Sequence, residues 1–473
     1  MFDNGMETTC GCVVGGAGLA GMGFLFNALK TGAMPWIAAK GLIVIDASER
    51  PGAGVLGEYR ITANSVGDVF IDCLRDPALR EVFEPLENSA AYWRIKAQAQ
   101  SAPQLSDAGL LMAEAARLVL DHIVQRYGVK VWSGTTINEV VNDGDTFCLH
   151  VDGPHGKRRV RCRALVLNLG GRQDPQHLID ALAGQGLALP GNVSIQSADR
   201  LLRMDAVQLR EVFGSALAGN GRITVVGGSH SAFSMLENLA DALEFAGLQE
   251  LTLIHRSRVR LFYESVEQAQ AAGYLFDAQY DVCPVSGRVN RSGGLRYRAL
   301  DIGREALCSG RVGKTGVRVQ MFQTLGGRPD EHELARLALA DSAVVVQCSG
   351  YQPVLPTLKD AEGNFISLRE TKGGLESDAC GCPLDQQGRR LKGLYLFGLG
   401  AGLGVDSHLG SEPAFNGRIY GVWQFHHDAS RAVLEAVTSR LSNQAAVPEA
   451  LDLDVFMQAS LRIQAGQAAI AGK

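Results

Sequence analysis

The chain opens with a short apolar run that gives way to a glycine-rich turn and then to helical spacing. Residues 12–15 have the continuous apolar character of a buried strand, and residues 22–30 have the periodicity of a helix. The turn between them, residues 16–21, reads Gly-Ala-Gly-Leu-Ala-Gly. Strand, glycine spacing and helix together predict a dinucleotide-binding turn with phosphates at the helix N-terminus.

Each glycine of this turn has its own expected role. Gly16 permits the tight turn, Gly18 lets the backbone approach a pyrophosphate, and Gly21 lets the helix pack closely on the sheet. The next apolar strand, residues 42–45, ends in an acid that is expected to accept hydrogen bonds from a ribose. The predicted contacts of this first site are Gly16, Gly18, Leu19, Ala20, Gly21 and Asp46.

The same order of elements occurs a second time in the middle of the chain. An apolar strand from residue 223 leads into Gly227 and a helical stretch, and the following strand, residues 251–254, ends in basic residues instead of an acid. Arginine binds phosphate with two parallel hydrogen bonds, so this change favours NADP over NAD. A solvated basic loop is the alternative. The predicted contacts are Gly227, Ser229, His230, Ser231, Arg256 and Arg258.

Three later turns supply further predicted cofactor contacts. A return strand, residues 164–167, ends in a small-residue turn, a buried strand from residue 341 ends in a Gly-Tyr turn, and residues 393–400 form a late strand with a glycine turn. These turns contribute Gly170, Gly350, Gly398, Gly400 and Gly402 to the predicted cofactor contacts. The fold class predicted is α/β, with two Rossmann-like domains. The first dinucleotide-binding domain is expected to be discontinuous (1–205 and 386–473) and to be interrupted by the second, NADP-binding domain (206–385).

Composition narrows the class of protein further. The 473 residues include 45 Lys plus Arg and 50 Asp plus Glu, a net charge of −5 that argues against a nucleic-acid partner. No apolar run approaches the ~20 residues that a membrane span requires, so no membrane association is expected. The ten cysteines lack a preceding secretory segment and are interpreted as reduced, cytoplasmic thiols. Two Cys-Gly-Cys pairs (residues 10–12 and 380–382) lack the spacing of a metal site, and no metal is predicted.

With this order of motifs, the whole chain resembles flavoproteins with two dinucleotide-binding domains, and within them the class B monooxygenases that N-hydroxylate amines and amino acids. The resemblance rests on three stretches: Asp341 to Pro356 with Cys-Ser-Gly-Tyr in it, the turn from Gly227 to Ala232, and Tyr59 to Ser65. Two departures stand against it. The fingerprint of the Baeyer-Villiger and flavin-containing groups is not intact, and Gly21 stands where many N-hydroxylating members carry proline.

The resemblance implies an enzyme that binds FAD and NADPH and oxygenates a small amine or amino-acid-like substrate through a flavin hydroperoxide. The expected partners are that small molecule and O₂, and the sequence leaves open a carrier-bound substrate and a homo-oligomer. Asn64 and Ser65 are the predicted donors near the flavin, and His408, with Glu412, is a predicted acid/base group. The alternatives are an NADPH-dependent reductase that serves a quinone or a partner protein, an FAD oxidase, and a non-catalytic flavoprotein.

Overall fold

The computed structural model describes residues 7–371, 374–399, 401, 410–417 and 421–442. Within these residues the chain forms an α/β fold with two five-stranded parallel sheets, one five-stranded mixed sheet and two two-stranded antiparallel sheets. The strands are β1 (Glu7–Thr9), β2 (Cys12–Gly15), β3 (Leu42–Ile45), β4 (Lys130–Trp132), β5 (Thr136–Asn142), β6 (Phe147–Gly153), β7 (Gly156–Cys162), β8 (Ala164–Leu167), β9 (Gly171–Arg172), β10 (Ser194–Ser197), β11 (Arg222–Val226), β12 (Glu250–His255), β13 (Arg318–Gln323), β14 (Ser342–Gln347), β15 (Gln352–Pro353), β16 (Thr357–Asp360), β17 (Glu370–Thr371), β18 (Gly374–Leu375) and β19 (Leu394–Leu396).

Helices cover both parallel sheets and fill the connections between their strands. Short 3₁₀ turns occur at Leu56–Glu58, Pro77–Leu79, Glu84–Asn88 and Glu244–Ala246. The α-helices are α1 (Leu19–Lys30), α2 (Met34–Ala39), α3 (Gly67–Asp72), α4 (Arg80–Phe83), α5 (Ala90–Ala97), α6 (Leu105–Tyr127), α7 (Pro175–Ala183), α8 (Ala198–Leu201), α9 (Ala206–Ala218), α10 (His230–Leu243), α11 (Val266–Ala271), α12 (Tyr297–Ser309), α13 (Glu331–Ala340), α14 (Val422–His426) and α15 (Asp428–Ser442).

The first parallel sheet has the strand order β19-β8-β2-β3-β4. Its central strands β2, β3 and β8 are buried at every residue, as expected for a sheet covered on both faces. Helices α1, α6 and α15 belong to the core on one side, with Phe24 and Phe26 among its fully buried side chains. The segment between α1 and β3 forms the short helix α2.

The second parallel sheet has the strand order β10-β14-β11-β12-β13. It has its own apolar core, in which α10 and α12 pack on the sheet. Two parallel sheets, each with helices and a separate core, confirm the predicted α/β class with two Rossmann-like units.

The connection between the two sheets follows from strand pairing. A third sheet, in the order β1-β7-β6-β5-β16, lies beside the first sheet and shares a core with it. Strand β16, which follows the last strand of the second sheet, pairs in parallel with β5. Strand β19 then pairs with β8, so the chain returns to the first sheet after completing the second.

None of the helices in the described residues is both long enough and apolar enough to cross a membrane. All ten cysteines are unpaired. The part of the chain with described coordinates holds no group of three or more His, Cys, Asp or Glu side chains arranged to bind a metal. Three of the predicted site residues, Gly400, Gly402 and His408, lie outside the described residues, as does the stretch 443–473.

Candidate functional site: two dinucleotide turns

The turn after β2 is held in shape by two of its three glycines. Gly16 has φ of +86°, and a Cβ atom there would lie 2.3 Å from the carbonyl oxygen of Asn168. A Cβ atom at Gly21 would lie 1.9 Å from the carbonyl oxygen of Gly16. A Cβ atom at Gly18 would meet nothing of the described protein closer than the Cα of Gly54, at 3.7 Å. Protein packing therefore requires glycine at 16 and 21, whereas the space at Gly18 is open to a ligand.

Polar groups at and beside the start of α1 have no hydrogen-bond partner in the described protein and are available to that ligand. Gly18 is the N-cap and has no side chain to bond the first-turn N–H groups, which include those of Leu19 and Ala20, and no acid stands in the first turn. Beside this turn, Asn168 is 8% exposed, and neither its amide nitrogen nor its amide oxygen has a partner among the described residues. Buried amides without hydrogen-bond partners are uncommon in proteins, so the Asn168 amide is expected to bind a ligand. Together with the open helix N-terminus, it forms a site suited to a pyrophosphate.

Asp46 lies at the end of β3, next to the same turn. Its carboxylate accepts hydrogen bonds from the backbone N–H of Ala17 at 2.6 Å and of Ser48 at 2.8 Å. Burial raises the pKa of Asp46, and these two hydrogen bonds oppose the rise. The carboxylate thus fixes the glycine turn. Each of its oxygens has a further lone pair, which is available to a ribose hydroxyl.

The late strand returns to this first turn. Gly398, two residues after the end of β19, has φ of +109°, and its Cβ position lies 3.1 Å from the Cβ of Ala20. Gly170 has φ of +82° with no atom within 4 Å of its Cβ position, and its carbonyl oxygen accepts a hydrogen bond from Val354. The structure therefore places Gly398 at the start of α1 and leaves Gly170 open on its Cβ side.

The second turn repeats the arrangement with different residues. Gly227 has φ of +146°, and a Cβ atom there would lie 2.3 Å from the carbonyl oxygen of Cys348. Ser229 is the exposed N-cap of α10 and makes no capping hydrogen bond with its side chain, and Ser231 lies half-buried in the first turn. The helix N-terminus is again open to an anion.

His230, the first residue of α10, is engaged by the protein. Its Nε2 accepts a hydrogen bond from the backbone N–H of Arg296 at 3.0 Å, so the ring proton is on Nδ1. Burial, with a smaller contribution from the Arg296 guanidinium, lowers the pKa of His230 to about 4. The imidazole is therefore neutral at pH 7, and only its Nδ1–H remains for a ligand.

The two arginines after β12 differ in their surroundings. Arg256 is exposed, and its guanidinium has no partner among the described residues. Arg258 forms an ion pair with Asp281 at 2.6 Å and lies over the ring of Tyr274. The Asp281 side chain is only 7% exposed, so Arg258 serves to neutralise a buried carboxylate. Gly350 has φ of +95° and no atom within 4 Å of its Cβ position.

A polar network links the two sheets, and sequence reasoning missed its centre. The hydroxyl groups of Tyr59 and Tyr351 both donate to Oδ1 of Asp199, and Arg203 pairs with Oδ2 at 2.7 Å. Burial raises the pKa of both tyrosines, so both remain donors at neutral pH. Asp199 lies in α8 with no sequence motif around it. The neighbouring Gly-Tyr turn was the one available signal.

The predicted catalytic residues occupy different settings. Asn64 is exposed and Ser65 is half-buried, in the bend that precedes α3, and the side chain of Asn64 has no partner in the described structure. Glu412 is 1% exposed, and its carboxylate accepts hydrogen bonds from the backbone N–H of Ser292 and of Gly293. Glu412 therefore anchors a loop, and a pairing with His408 stays a prediction.

Known structures share this arrangement and identify the fold. The ornithine N-hydroxylase of Kutzneria sp. 744, solved with reduced FAD, NADP⁺ and L-ornithine, matches with a TM-score of 0.53 and 14% identity over 91% of this chain and 99% of its own. An ornithine hydroxylase from Pseudomonas aeruginosa matches with a TM-score of 0.53 and 13% identity over 92% of this chain and all of its own (100%). The fold is that of the flavin monooxygenases with two dinucleotide-binding domains.

Sequence comparison gives the family. No family model matches the chain. A CMP-5'-(3-aminopropyl)phosphonate hydroxylase from Streptomyces rubellomurinus (strain ATCC 31215) is 30% identical over 433 residues, which cover 90% of this chain and 96% of that protein. The chain belongs to the family of this hydroxylase. This result confirms the predicted resemblance to N-hydroxylating flavin monooxygenases and the prediction of an oxidoreductase.

Proposed function

We propose that the protein is an FAD-dependent, NADPH-reduced monooxygenase that hydroxylates the nitrogen of a small primary amine. The observation that carries the proposal is the pair of glycine turns. Each follows a central parallel strand, and each leaves a helix N-terminus open in a chain of the hydroxylase family. Ligands of such sheets bind at the carboxyl ends of the strands, where both turns lie.

The first turn fits FAD. The open Cβ position of Gly18 and the uncapped start of α1 suit its pyrophosphate, with Gly16 and Gly21 shaping the turn. Asn168 supplies an unpaired donor and an unpaired acceptor beside it. We propose that Asp46 binds the ribose of FAD and that Gly170 and Gly398 line the FAD site beside it. Gly400 and Gly402 stay predictions from sequence.

The second turn fits NADPH. Ser229, His230 and Ser231 begin α10 around an open N-terminus. Of the two arginines, we assign the 2′-phosphate to Arg256, because the guanidinium of Arg258 is already paired with Asp281. Gly350, open on its Cβ side, is a further candidate contact.

The role of the chain's own residues is to bind, orient and exclude water, since bound FAD would supply the redox chemistry by accepting hydride from NADPH and activating O₂. Asn64 and Ser65 are our candidates for donors that hold the reacting groups in place. The exposed side chain of Asn64, free of partners in the described structure, is available for such a contact.

The substrate is a small molecule bearing an amine, as in the hydroxylases that the chain resembles. Delivery on a carrier protein and a homo-oligomeric state stay predictions. We also propose a cytoplasmic location, supported by ten unpaired cysteines, since reduced thiols persist in a reducing compartment.

We further propose that the FAD domain is discontinuous. Pairing of β10 with β14 supports a second domain that starts near Ser194, earlier than the boundary at 205/206 expected from sequence. Pairing of β16 with β5 supports a return to the first domain before Thr357, ahead of the expected boundary at 385/386.

The test is an oxygen-labelling experiment on the FAD-loaded protein. With NADPH and ¹⁸O₂, a panel of 3-aminopropylphosphonate, ornithine and cadaverine is expected to yield a hydroxylamine that carries one ¹⁸O atom, detected by mass spectrometry. Failure of NADPH to reduce the flavin, together with H₂O₂ formed from an amine and O₂ alone, would support the oxidase alternative. Electron delivery to a quinone without any labelled amine product would support the reductase alternative.

A further inference from the structure

Three arginines lie together in the long connection between β12 and α12. Arg260, Arg291 and Arg296 are all half-buried. Each donates to a backbone carbonyl group: Arg260 to Ala414 at 3.1 Å, Arg291 to Gly410, and Arg296 to Arg291. A guanidinium has five N–H donors, so most of the donors in this arginine cluster remain for another partner.

The charge of the cluster is not balanced by nearby carboxylates. Among the described residues, no Asp or Glu oxygen lies within 4.0 Å of any of the three guanidinium groups, whereas six other half-buried arginines, such as Arg203 and Arg298, have such a partner. Arg288, a fourth neighbour, is paired with Glu264 at 2.8 Å. Glu412 lies close to Gly293, but its carboxylate accepts from backbone N–H groups.

Partial burial makes this imbalance costly. Burial and the charges of Arg288 and Arg291 lower the pKa of Arg296, which means that the positive charges repel one another in a poorly solvated place. The ring of Phe262 lies 4.2 Å from the Arg296 guanidinium and offsets only part of that cost. An anion bound between the guanidinium groups would remove the repulsion.

The cluster lies beside the second dinucleotide turn. The backbone N–H of Arg296 bonds His230, the first residue of the second dinucleotide helix. Arg291 and Arg260 bond the carbonyl groups of Gly410 and Ala414, in a late segment of the chain. In the proposed enzyme the phosphates of NADPH are assigned to the start of α10 and to Arg256, so the cluster is left for an anion of the substrate.

We propose that Arg260, Arg291 and Arg296 bind a phosphonate or phosphate group on the amine substrate, so that the enzyme selects phosphorylated or phosphonylated amines over simple ones. Guanidinium groups match the tetrahedral oxyanion with parallel, charge-assisted hydrogen bonds. The hydroxylase relative, whose name specifies an aminopropylphosphonate joined to CMP, is consistent with this choice. The inference rests on the proposed function, because it concerns the substrate of that reaction.

The test measures binding separately from catalysis. The FAD-loaded protein is titrated calorimetrically, in buffer without phosphate, with 3-aminopropylphosphonate, with its CMP ester, and with butylamine, which lacks the anion. We expect at least one phosphonate probe to bind, and Arg260→Gln and Arg291→Gln to weaken its binding about tenfold or more while leaving butylamine unchanged. Arg291→Lys keeps the charge and is expected to lose less than Arg291→Gln.

The control is Arg298→Gln. Arg298 lies in the first turn of α12, two residues after Arg296, but it is paired with Glu237 at 2.6 Å. Its removal is therefore expected to leave phosphonate binding at the wild-type level. Because a substitution can disturb folding for unrelated reasons, the wild-type protein is also tested by competition. Inorganic phosphate is expected to compete with the phosphonate probe, whereas chloride at equal ionic strength is not.

Several results would overturn the inference. They are the failure of both phosphonate probes to bind, the absence of competition by phosphate, and equal binding by the wild type and both glutamine variants. A parallel titration with NADP⁺ identifies a different source of the anion: if the variants weaken NADP⁺ in the same proportion, the cluster serves the cofactor. The proposed function fails in a different way, through the absence of labelled hydroxylamine from every amine even where the phosphonate binds.

Discussion

The hydroxyl group of Tyr351 donates a hydrogen bond to the carboxylate of Asp199 across 3.1 Å, and this contact joins the segment after β14 to the helix after β10. Tyr59, from the loop after β3, bonds the same oxygen. The side chains of Tyr59 and Ile61 also pack against the core of the second sheet, and the N–H of Arg60 bonds Leu202 at 2.9 Å. One carboxylate thus holds a loop of the first unit against the second.

Removing one tyrosine hydroxyl is expected to lower the free energy of unfolding only slightly. Removing both is expected to lower it by more than the sum of the two single effects. We expect Tyr351→Phe and Tyr59→Phe each to lower the free energy of unfolding by about 1 kcal/mol, because the other tyrosine still bonds Oδ1 of Asp199. The double variant is expected to lose more than the sum, since that oxygen then has no tyrosine donor. Urea unfolding of the FAD-loaded protein measures the three values, and strict additivity would refute a shared acceptor.

Gly18→Val is expected to fold and to lose FAD. The described protein leaves space around Gly18, so added methyl groups meet the pyrophosphate instead of the chain. The measurement is the FAD absorbance of the purified variant together with its circular dichroism spectrum. Gly214→Val, at a helix position with no atom within 4 Å of the Cβ site, is the control and should retain FAD. A yellow Gly18→Val protein would remove the FAD assignment.

The arginines after β12 are expected to respond differently to alanine. Arg256→Ala should raise the KM for NADPH about tenfold or more and leave that for NADH unchanged, because only NADPH carries the 2′-phosphate. Arg258→Ala should mainly lower stability, because it leaves the buried carboxylate of Asp281 without its cation. Steady-state kinetics with both nucleotides, combined with thermal unfolding, separates the two effects. Equal changes in KM for NADPH and NADH would contradict the assignment of Arg256.

His426 is expected to make stability depend on pH. Its Nε2–H donates to the carbonyl oxygen of Leu19 at 3.0 Å, and burial lowers its pKa to about 3. The unfolded chain takes up a proton below its pKa of about 6.5, while the folded chain does not, so stability is lost as pH falls from about 6.5 towards 3. This residue should account for about 2 kcal/mol between pH 7.5 and 5.

The pH effect is measured by urea unfolding at both pH values, in the wild type and in His426→Gln. Glutamine has an amide N–H that can donate to Leu19 but has no titrating group, so the variant should show a smaller pH dependence. An identical dependence in both proteins would mean that other groups titrate.

Asn64→Ala tests the predicted donor near the flavin. Because the side chain is exposed and has no partner in the described structure, its loss should change the free energy of unfolding by less than about 0.5 kcal/mol. The amount of hydroxylamine formed per NADPH oxidised should fall, with more H₂O₂ released. Gln104→Ala, which removes an exposed side chain bonded to nearby Thr62, is the control. Unchanged product yield in Asn64→Ala would exclude the catalytic role.

Much of the fold was accessible from sequence because it depends on local rules. Continuous apolar runs such as 12–15 and 42–45 predicted buried parallel strands, and the structure has strands at those residues. The glycines at 16, 21 and 227 were predictable because a positive φ or a contact too short for a Cβ atom restricts the residue type at one position. Relationship to a hydroxylase then followed from the order of these motifs.

Tertiary structure decided which polar side chains meet. Asp199 lies 140 residues from Tyr59 and 152 from Tyr351, and no local pattern specifies that a carboxylate in α8 receives both hydroxyl groups. The sequence predicted Arg258 as a phosphate ligand, and the fold places Asp281 beside it, where the two side chains form an ion pair. Backbone geometry is specified within a few residues of the chain. The pairing of charges depends on packing between segments far apart in sequence, so only the folded chain determines it.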